Sequence, residues 1–416
     1  MREQRLLILF ICLFIVMTGY GVTLPVLPFY IEKLAMAQGA NVSKSSYHVG
    51  IITGIFALMQ FFFAPLWGKL SDQLGRRPLF LFGLAGFGLS MAFFGMGTNL
   101  TMLYSVRILG GIVSAAVLPI ANAYVADVTS EKDRGRGMAW LGSAISLGVV
   151  VGPALSAFLF RQNIPLLYRF WHFRIDGFSI PFFTAAMLSF LALGAAIRWL
   201  PEPLRSQEIE IRGKGSKSNV VHRPGFPARN IPGGLLPILS LGFLYQFALS
   251  LFEGTFALHA KHVTRFGPSE MGLVFIICGF VMASAQAFVV VRLIDRFGER
   301  PLLPTGFALM GIALVMLMTT QDLNIILIYV ALLAFGVALI IPSLATLVSR
   351  RSYDKQGAAL GQLIAANNLG QAFGPAIGGI LFVWQIHAPY FLTAFLLLAT
   401  AAYWSVRTKP LPAESR

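Results

Sequence analysis

Residues 68–78 read GKLSDQLGRRP, and residues 292–301 read RLIDRFGERP. Aligning Asp72 with Asp295 also aligns Gly75 with Gly298, Arg77 with Arg300 and Pro78 with Pro301, all at an offset of 223. A second pair, LGVVVGPALSAFLF at 147–160 and LGQAFGPAIGGILF at 369–382, matches at an offset of 222. Two independent matches at nearly one spacing make this an internal repeat.

The sequence around these motifs is unusually apolar. Hydrophobic residues make up 56% of the chain and charged ones 12%, against roughly a quarter charged in soluble domains. A bilayer core of about 30 Å takes roughly 20 helical residues to cross. Twelve stretches meet that length: 6–31, 48–67, 79–97, 102–126, 138–160, 178–200, 236–260, 271–291, 302–319, 323–348, 357–384 and 386–405. The reading is an integral membrane protein, all-α, with 12 transmembrane helices in two pseudo-symmetric six-helix bundles. The bundles take residues 1–200 and 236–416, and the Pro-, Gly- and Arg-rich stretch 201–235 reads as a flexible cytoplasmic linker. Repeated halves that begin on the same side of the membrane are the parallel repeat of one large class of secondary transporters. The first stretch is too long for a signal-peptide core and lacks a small-residue cleavage site, so it is expected to be retained. Cys12 and Cys278, each inside an apolar stretch, build neither a disulfide framework nor zinc spacing.

A net charge of +15 invites a nucleic-acid reading. Counted by loop, with the N-terminus inside, the inner segments hold 24 of the 32 Lys and Arg, Arg198 at the inner end of the sixth span among them, the outer loops 7, and Arg107 lies within the fourth span. That asymmetry is the positive-inside rule. It places both termini in the cytoplasm and leaves no nucleic-acid partner to infer.

The motifs carry physical content. Gly68 permits close backbone approach, Gly75 supplies a turn, and Asp72 can accept from free N–H groups at a helix start. Arg76 and Arg77 offer forked donors to a carboxylate. Gly148 and Gly152 lie four residues apart on one helix face, where small residues let membrane helices pack backbone to backbone, and Pro153 allows a kink.

On these residues the chain resembles the major facilitator superfamily over nearly its full length, and within it the twelve-span drug:proton antiporters. GKLSDQLGRRP resembles the superfamily's loop 2–3 signature, LYSVRILGG at 103–111 the fourth-span motif with its arginine, and GVVVGP at 148–153 the antiporter motif of the fifth span. PVLPFY at 25–30 and LFEGTFAL at 251–258 are similar to bacterial multidrug, quinolone-exporting pumps, which ties the reading to antibiotic resistance and the bacterial cell membrane. The resemblance implies two bundles rocking around a central cavity in a functional monomer. It also implies an inner latch of Asp72, Arg76 and Arg77 with Asp127, echoed in the second copy by Asp295, Gly298 and Arg300. Four departures stand out: Ser156 and Ala157 replace two glycines, Glu299 an arginine and Gln73 a basic residue.

There is no GxxxxGK[ST] nucleotide loop, HExxH or GxSxG, so the reading is neither an enzyme nor a cofactor-dependent pump, and uphill work falls to an ion gradient. Proton coupling needs a group inside the membrane whose charge changes. Of 17 acidic residues, Glu253 alone falls well inside a span, with Glu32 and Asp127 at span ends. Desolvation disfavours its charged form and a nearby cation favours it. Arg107 falls at similar depth on the fourth span, so Glu253 and Arg107 are the candidate proton-coupling groups. The second acid frequent in the tenth span of similar pumps is absent, Ala338 standing near its place. Tyr30, Gln60, Asn122, Tyr245, Gln246, Phe256, Asn367 and Asn368 are candidates for a cavity lining, with Tyr30 matching Glu253 in the repeat. His259 and His262, three apart near the outer end of the seventh span, read as interfacial residues rather than a metal site. The expected partners are a small-molecule substrate, protons and the lipid bilayer. The leading expectation is proton-driven export of amphipathic, cationic compounds. Its alternatives are export of one specific metabolite, such as a sugar, an amino-acid derivative or a lipid, and a transport-inactive membrane sensor or scaffold.

Overall fold

The computed structural model describes residues 2–129, 134–161, 168–170, 173–175, 177–203, 235–351 and 356–407. Residues 204–234 of the expected linker therefore lie outside the described residues. The chain divides into two compact units, Met1–His48 with Ile52–Gly225 and Val49–Ile51 with Phe226–Arg416.

The first unit contains α1 (Arg2–Thr23), α2 (Leu27–Ala37), α3 (Val42–Leu74), α4 (Arg76–Gly95), α5 (Leu100–Ser114), α6 (Val117–Val128), α7 (Arg134–Arg161) and α8 (Ile180–Trp199). Two three-residue strands, Tyr168–Phe170 and Phe173–Ile175, pair antiparallel before α8. The second unit contains α9 (Leu236–Val263), α10 (Pro268–Ser284), a π-helical turn at Ala285–Val290, α11 (Val291–Phe297), α12 (Glu299–Leu317), α13 (Leu323–Arg351), α14 (Gln356–Trp384) and α15 (Ala388–Arg407).

Eleven segments among the described residues are long and apolar enough to cross a membrane. The one expected span missing from them by composition is α14. It is long enough at 29 residues, but Gln362, Asn367, Asn368 and Gln371 dilute its hydropathy. The structure also corrects two boundaries. The stretch expected as one helix at 6–31 breaks at Leu24–Val26, where Leu24 N–H donates to Gly21 O at 3.3 Å and Val26 N–H to Thr23 O at 3.2 Å. Pro25 and Pro28 lack the N–H groups that would continue α1, and Pro28 opens α2 instead. The stretch expected at 102–126 breaks at Ala115–Ala116, because Pro119 cannot donate to the carbonyl four residues earlier.

Local chemistry fixes the remaining ends. Asn41 caps α3 by accepting from Lys44 N–H at 2.8 Å, and Asn99 caps α5 by accepting from Met102 N–H at 2.8 Å. The matched glycines of the repeat, Gly75 and Gly298, both turn the chain with positive φ, 95° and 78°, a conformation that side chains disfavour.

The two units are packed by the same plan. In the first, α1 lies on α7 and α4 on α8; in the second, α9 lies on α14 and α12 on α15. The seam in each is main chain against main chain. A Cβ at Gly148 would stand 2.8 Å from Phe14 O, and one at Gly152 would stand 2.5 Å from Gly21 Cα. In the second unit a Cβ at Gly370 would stand 2.4 Å from Phe243 O, and one at Gly374 would stand 2.5 Å from Phe247 O.

Candidate functional site

The loop signature builds a charged hub around one arginine. Gly75 ends α3 and starts α4, which brings Arg76 back over Asp72, one turn earlier in the chain, with Nη2 to Oδ1 at 2.5 Å. Arg76 Nε donates to Asp127 Oδ2 at the end of α6, at 2.9 Å, and its Nη1 donates to Ser71 Oγ. The latch expected to include both arginines uses only Arg76. Arg77 points elsewhere and donates through Nη2 to Ile197 O at 2.7 Å.

The free N–H groups of α4 are capped by Glu202 rather than Asp72. Its two carboxylate oxygens accept from Arg76 N–H at 2.6 Å and Arg77 N–H at 2.9 Å. Placing a carboxylate on a helix start satisfies two orphan donors and opposes the dipole. By sequence Glu202 belongs to the polar stretch 201–235 that reads as a linker. Nearby, Tyr124 donates its hydroxyl to Pro201 O at 2.6 Å, so residues 197–202 plug this end of the first unit.

The second copy forms no such hub among the described residues. Asp295 is exposed, Gly298 keeps its turn, and Arg300 is exposed, while the position matching Arg76 holds Glu299, which is 3% exposed.

Arg107 sits two turns into α5 and is 3% exposed. Its guanidinium lies over the rings of Phe94 at 4.4 Å and Phe56 at 5.0 Å, an attraction that strengthens where water is excluded. Its Nε and Nη2 are buried with no hydrogen-bond partner among the described residues, and no described residue forms an ion pair with it. Within the first unit Arg107 is a buried cation held by aromatic faces.

Glu253 sits in the middle of α9, half-buried, and makes no hydrogen bond or ion pair with a described residue. Next to it, Gly254 packs on Pro375 of α14, where an added Cβ would stand 2.8 Å from Pro375 Cβ. The backbone around Glu253 is therefore fixed while its carboxylate stays uncommitted.

The cavity candidates separate into groups. Tyr30 is 2% exposed, packs on Phe94 and Phe182, and gives its hydroxyl to Gly97 O at 2.9 Å and Gly95 O at 3.2 Å. Phe256, 1% exposed, stacks on Phe252 at 4.8 Å. Both are core residues, against the expectation of a lining role. Tyr245 is buried, and its hydroxyl lies 2.9 Å from the Asn367 amide. With the amide nitrogen facing Gly242 O and Leu363 O, that hydroxyl donates to the amide oxygen. Gln60 donates to Ser114 Oγ at 3.3 Å. Gln246 and Asn368 are half-buried and Asn122 is exposed.

One polar pair, a buried histidine with a half-buried one, was not legible beforehand. His259, 2% exposed, places Nε2 3.0 Å from Nδ1 of His387, just ahead of α15. Its ring lies against Phe256 and Tyr390, and its Nδ1 has no partner among the described residues. Among the described residues no three His, Cys, Asp or Glu side chains gather as a metal site.

Comparison with known proteins agrees with this architecture. The family model described as Major Facilitator Superfamily matches residues 9–252 and 238–416. The chain is 31% identical over 403 residues to Multidrug resistance protein 1 of Bacillus subtilis (strain 168), covering 96% of this chain and 95% of that protein. It is 23% identical over 402 residues to Quinolone resistance protein NorA of Staphylococcus aureus (strain MRSA252), covering 95% of each. A solved D-xylose-proton symporter superposes with a TM-score of 0.73 at 18% identity over 96% of each chain, a likeness of fold.

Proposed function

We propose that this chain, which belongs to the Major Facilitator Superfamily, exports amphipathic cationic small molecules in exchange for protons by alternating access. It is an integral membrane secondary transporter distantly related to multidrug and quinolone efflux pumps. The finer reading rests on Glu253, a half-buried carboxylate in mid-membrane with no hydrogen-bonding or ionic partner among the described residues.

A carboxylate in that setting is tolerated when neutral and is costly when charged and alone. A proton or a cationic substrate removes that cost, and each excludes the other. Alternation between the two loads couples their movements. Arg107, a buried cation with no carboxylate partner among the described residues of its own unit, is the second member of the coupling machinery. The hub of Asp72, Arg76 and Asp127 holds the inner end of the first unit, and the excess of basic residues on inner segments sets both termini in the cytoplasm of a bacterial cell. The transporter acts as a monomer.

The test is export of a cationic dye from proteoliposomes under an imposed proton gradient. Glu253→Gln, fixed in the neutral state that the proton otherwise imposes, is expected to bind the cationic dye weakly and to lose export against the gradient. Undiminished uphill export by this variant would overturn the coupling role.

A further inference from the structure

Two donors of α3 converge on the place where the fourth span is interrupted. Trp67 Nε1–H donates to Ile112 O at 2.6 Å, and the Gln60 amide donates to Ser114 Oγ at 3.3 Å. Glycine lets α3 come this close: a Cβ at Gly111 would stand 2.7 Å from Phe56 O and 2.8 Å from Met59 Cβ. In a continuous helix Ile112 O would accept from Ala116 N–H, four residues on. Here Ala116 N–H turns instead to Val113 O at 3.3 Å, and the indole takes the carbonyl it leaves.

The repeat supplies the comparison. The offset of 223 carries Trp67 onto Val290, Gln60 onto Ala283, Ser114 onto Val337 and Pro119 onto Pro342. None of Val290, Ala283 and Val337 offers a polar side chain. There α13 runs unbroken from Leu323 to Arg351 with Pro342 inside it, so the missing proline N–H weakens this turn without by itself opening it. The matches of Trp67, Ala115 and Ala116 meet all the same, since Val290, Ala338 and Leu339 belong to one buried cluster. The irregular turn of the second unit lies on the facing helix instead, where the π-helical Ala285–Val290 ends on the match of Trp67. The unit with the indole donor is the one whose fourth span is interrupted.

We propose that Trp67 is a positioning residue of the transport cycle: its indole N–H holds the fourth span open at Ala115–Ala116, and its release lets the span close and re-aims the inner half. Arg107 stands on α5 before the interruption and Asp127 of the charged hub on α6 after it. The state of this one turn therefore sets the angle between the coupling cation and the hub. The indole and the Ala116 N–H alternate at one acceptor, so neither state leaves Ile112 O without a partner. The pin is a property of the fold, and its part in the cycle rests on the transport reading.

Trp67→Phe keeps a ring beside Phe82, whose centroid lies 5.1 Å away, and removes the N–H. Hydrogen–deuterium exchange of the full-length protein in mild detergent, read on peptides spanning residues 113–120, is expected to slow about fivefold in this variant, the factor of one ordinary hydrogen bond, because Ala116 N–H returns to Ile112 O. A side chain that merely packs gives the opposite sign, since its loss loosens the helix. Dye export from proteoliposomes is expected to lose kcat by the same factor at unchanged KM. Trp67→Val, which copies the second unit, should behave alike, and monodisperse elution checks the fold of both variants. Unchanged or faster exchange overturns the pin, and slower exchange with unchanged kcat overturns its part in the cycle. If wild type itself exports no dye, the transport reading fails, and the exchange comparison still decides the pin.

Discussion

Arg76 Nε lies 2.9 Å from Asp127 Oδ2, and both side chains are only 12% exposed, whereas Asp72, on the other side of the same guanidinium, is 56% exposed. The two carboxylates therefore differ in worth. Asp127→Asn is expected to cost about 1.5–3 kcal/mol, the range for hydrogen bonds to charged groups. Asp72→Asn, screened by solvent, is expected to cost below about 1 kcal/mol. Thermal unfolding of the purified variants checks the order, and equal losses would mean the pair with Asp127 is not the anchor.

Glu202 closes the start of α4 with both oxygens. Glu202→Ala is expected to destabilise by about 1–2 kcal/mol, as for other lost helix caps. Glu202→Gln keeps one acceptor and loses the charge, so its melting temperature should fall between wild type and Glu202→Ala.

Two glycines of α7 make an internal control. Around Gly142 no atom of the described residues lies within 4 Å of an added Cβ, while at Gly152 the Cβ would stand 2.5 Å from Gly21 Cα and 2.6 Å from Thr18 O. Gly142→Ala should stabilise the helix by up to about 1 kcal/mol. Gly152→Ala forces α1 and α7 apart and should cost about 1–3 kcal/mol. Stability and export measured on the pair separate a packing seam from mere glycine flexibility.

Removing one half of the His259–His387 pair is expected to be worse than removing both. His387→Leu leaves the His259 ring, already short of a partner at Nδ1, unsatisfied at Nε2 as well, at a cost of about 1–3 kcal/mol. Adding His259→Phe replaces a stranded polar ring by an apolar one against Phe256 and Tyr390. The double variant should then unfold at a higher temperature than His387→Leu alone.

A single exchanging carboxylate has an electrical signature. The tenth-span position that bears a second acid in similar pumps is Ala338 here, fully buried in α13. One proton exchanged for one monovalent cation moves no net charge. Export of a monovalent dye should follow the pH difference across proteoliposomes and stay unchanged when the membrane potential is clamped with potassium and valinomycin. A rate that rises with potential would require a second translocated proton.

The spans were legible because the bilayer imposes one length on every crossing helix, and hydropathy reads that length directly. Their interruptions were less legible: Pro25, Pro28 and Pro119 lie in apolar runs, where hydropathy does not register a missing N–H. The repeat located the hub, because Gly75 and Arg76 need their neighbours at fixed spacing. It did not reveal Glu202, which follows Pro201 in a polar stretch and acquires its role only by folding back onto α4. Tyr30 and Phe256 were misplaced for a related reason. An aromatic on a membrane helix has the same periodicity whether it faces a cavity or a packed neighbour, and only the backbone carbonyls at Gly95 and Gly97 decide the case of Tyr30. His387 carried no signal at all, since its partner is 128 residues away.

The contacts of α1 with α7 and of α9 with α14 are made largely by main chain, and this restricts where the protein can vary. A side chain can be exchanged, but a backbone pressed against a backbone offers nothing to exchange. Changes that leave each unit folded must therefore enter through the other helix faces, with the glycine seams of both units kept intact.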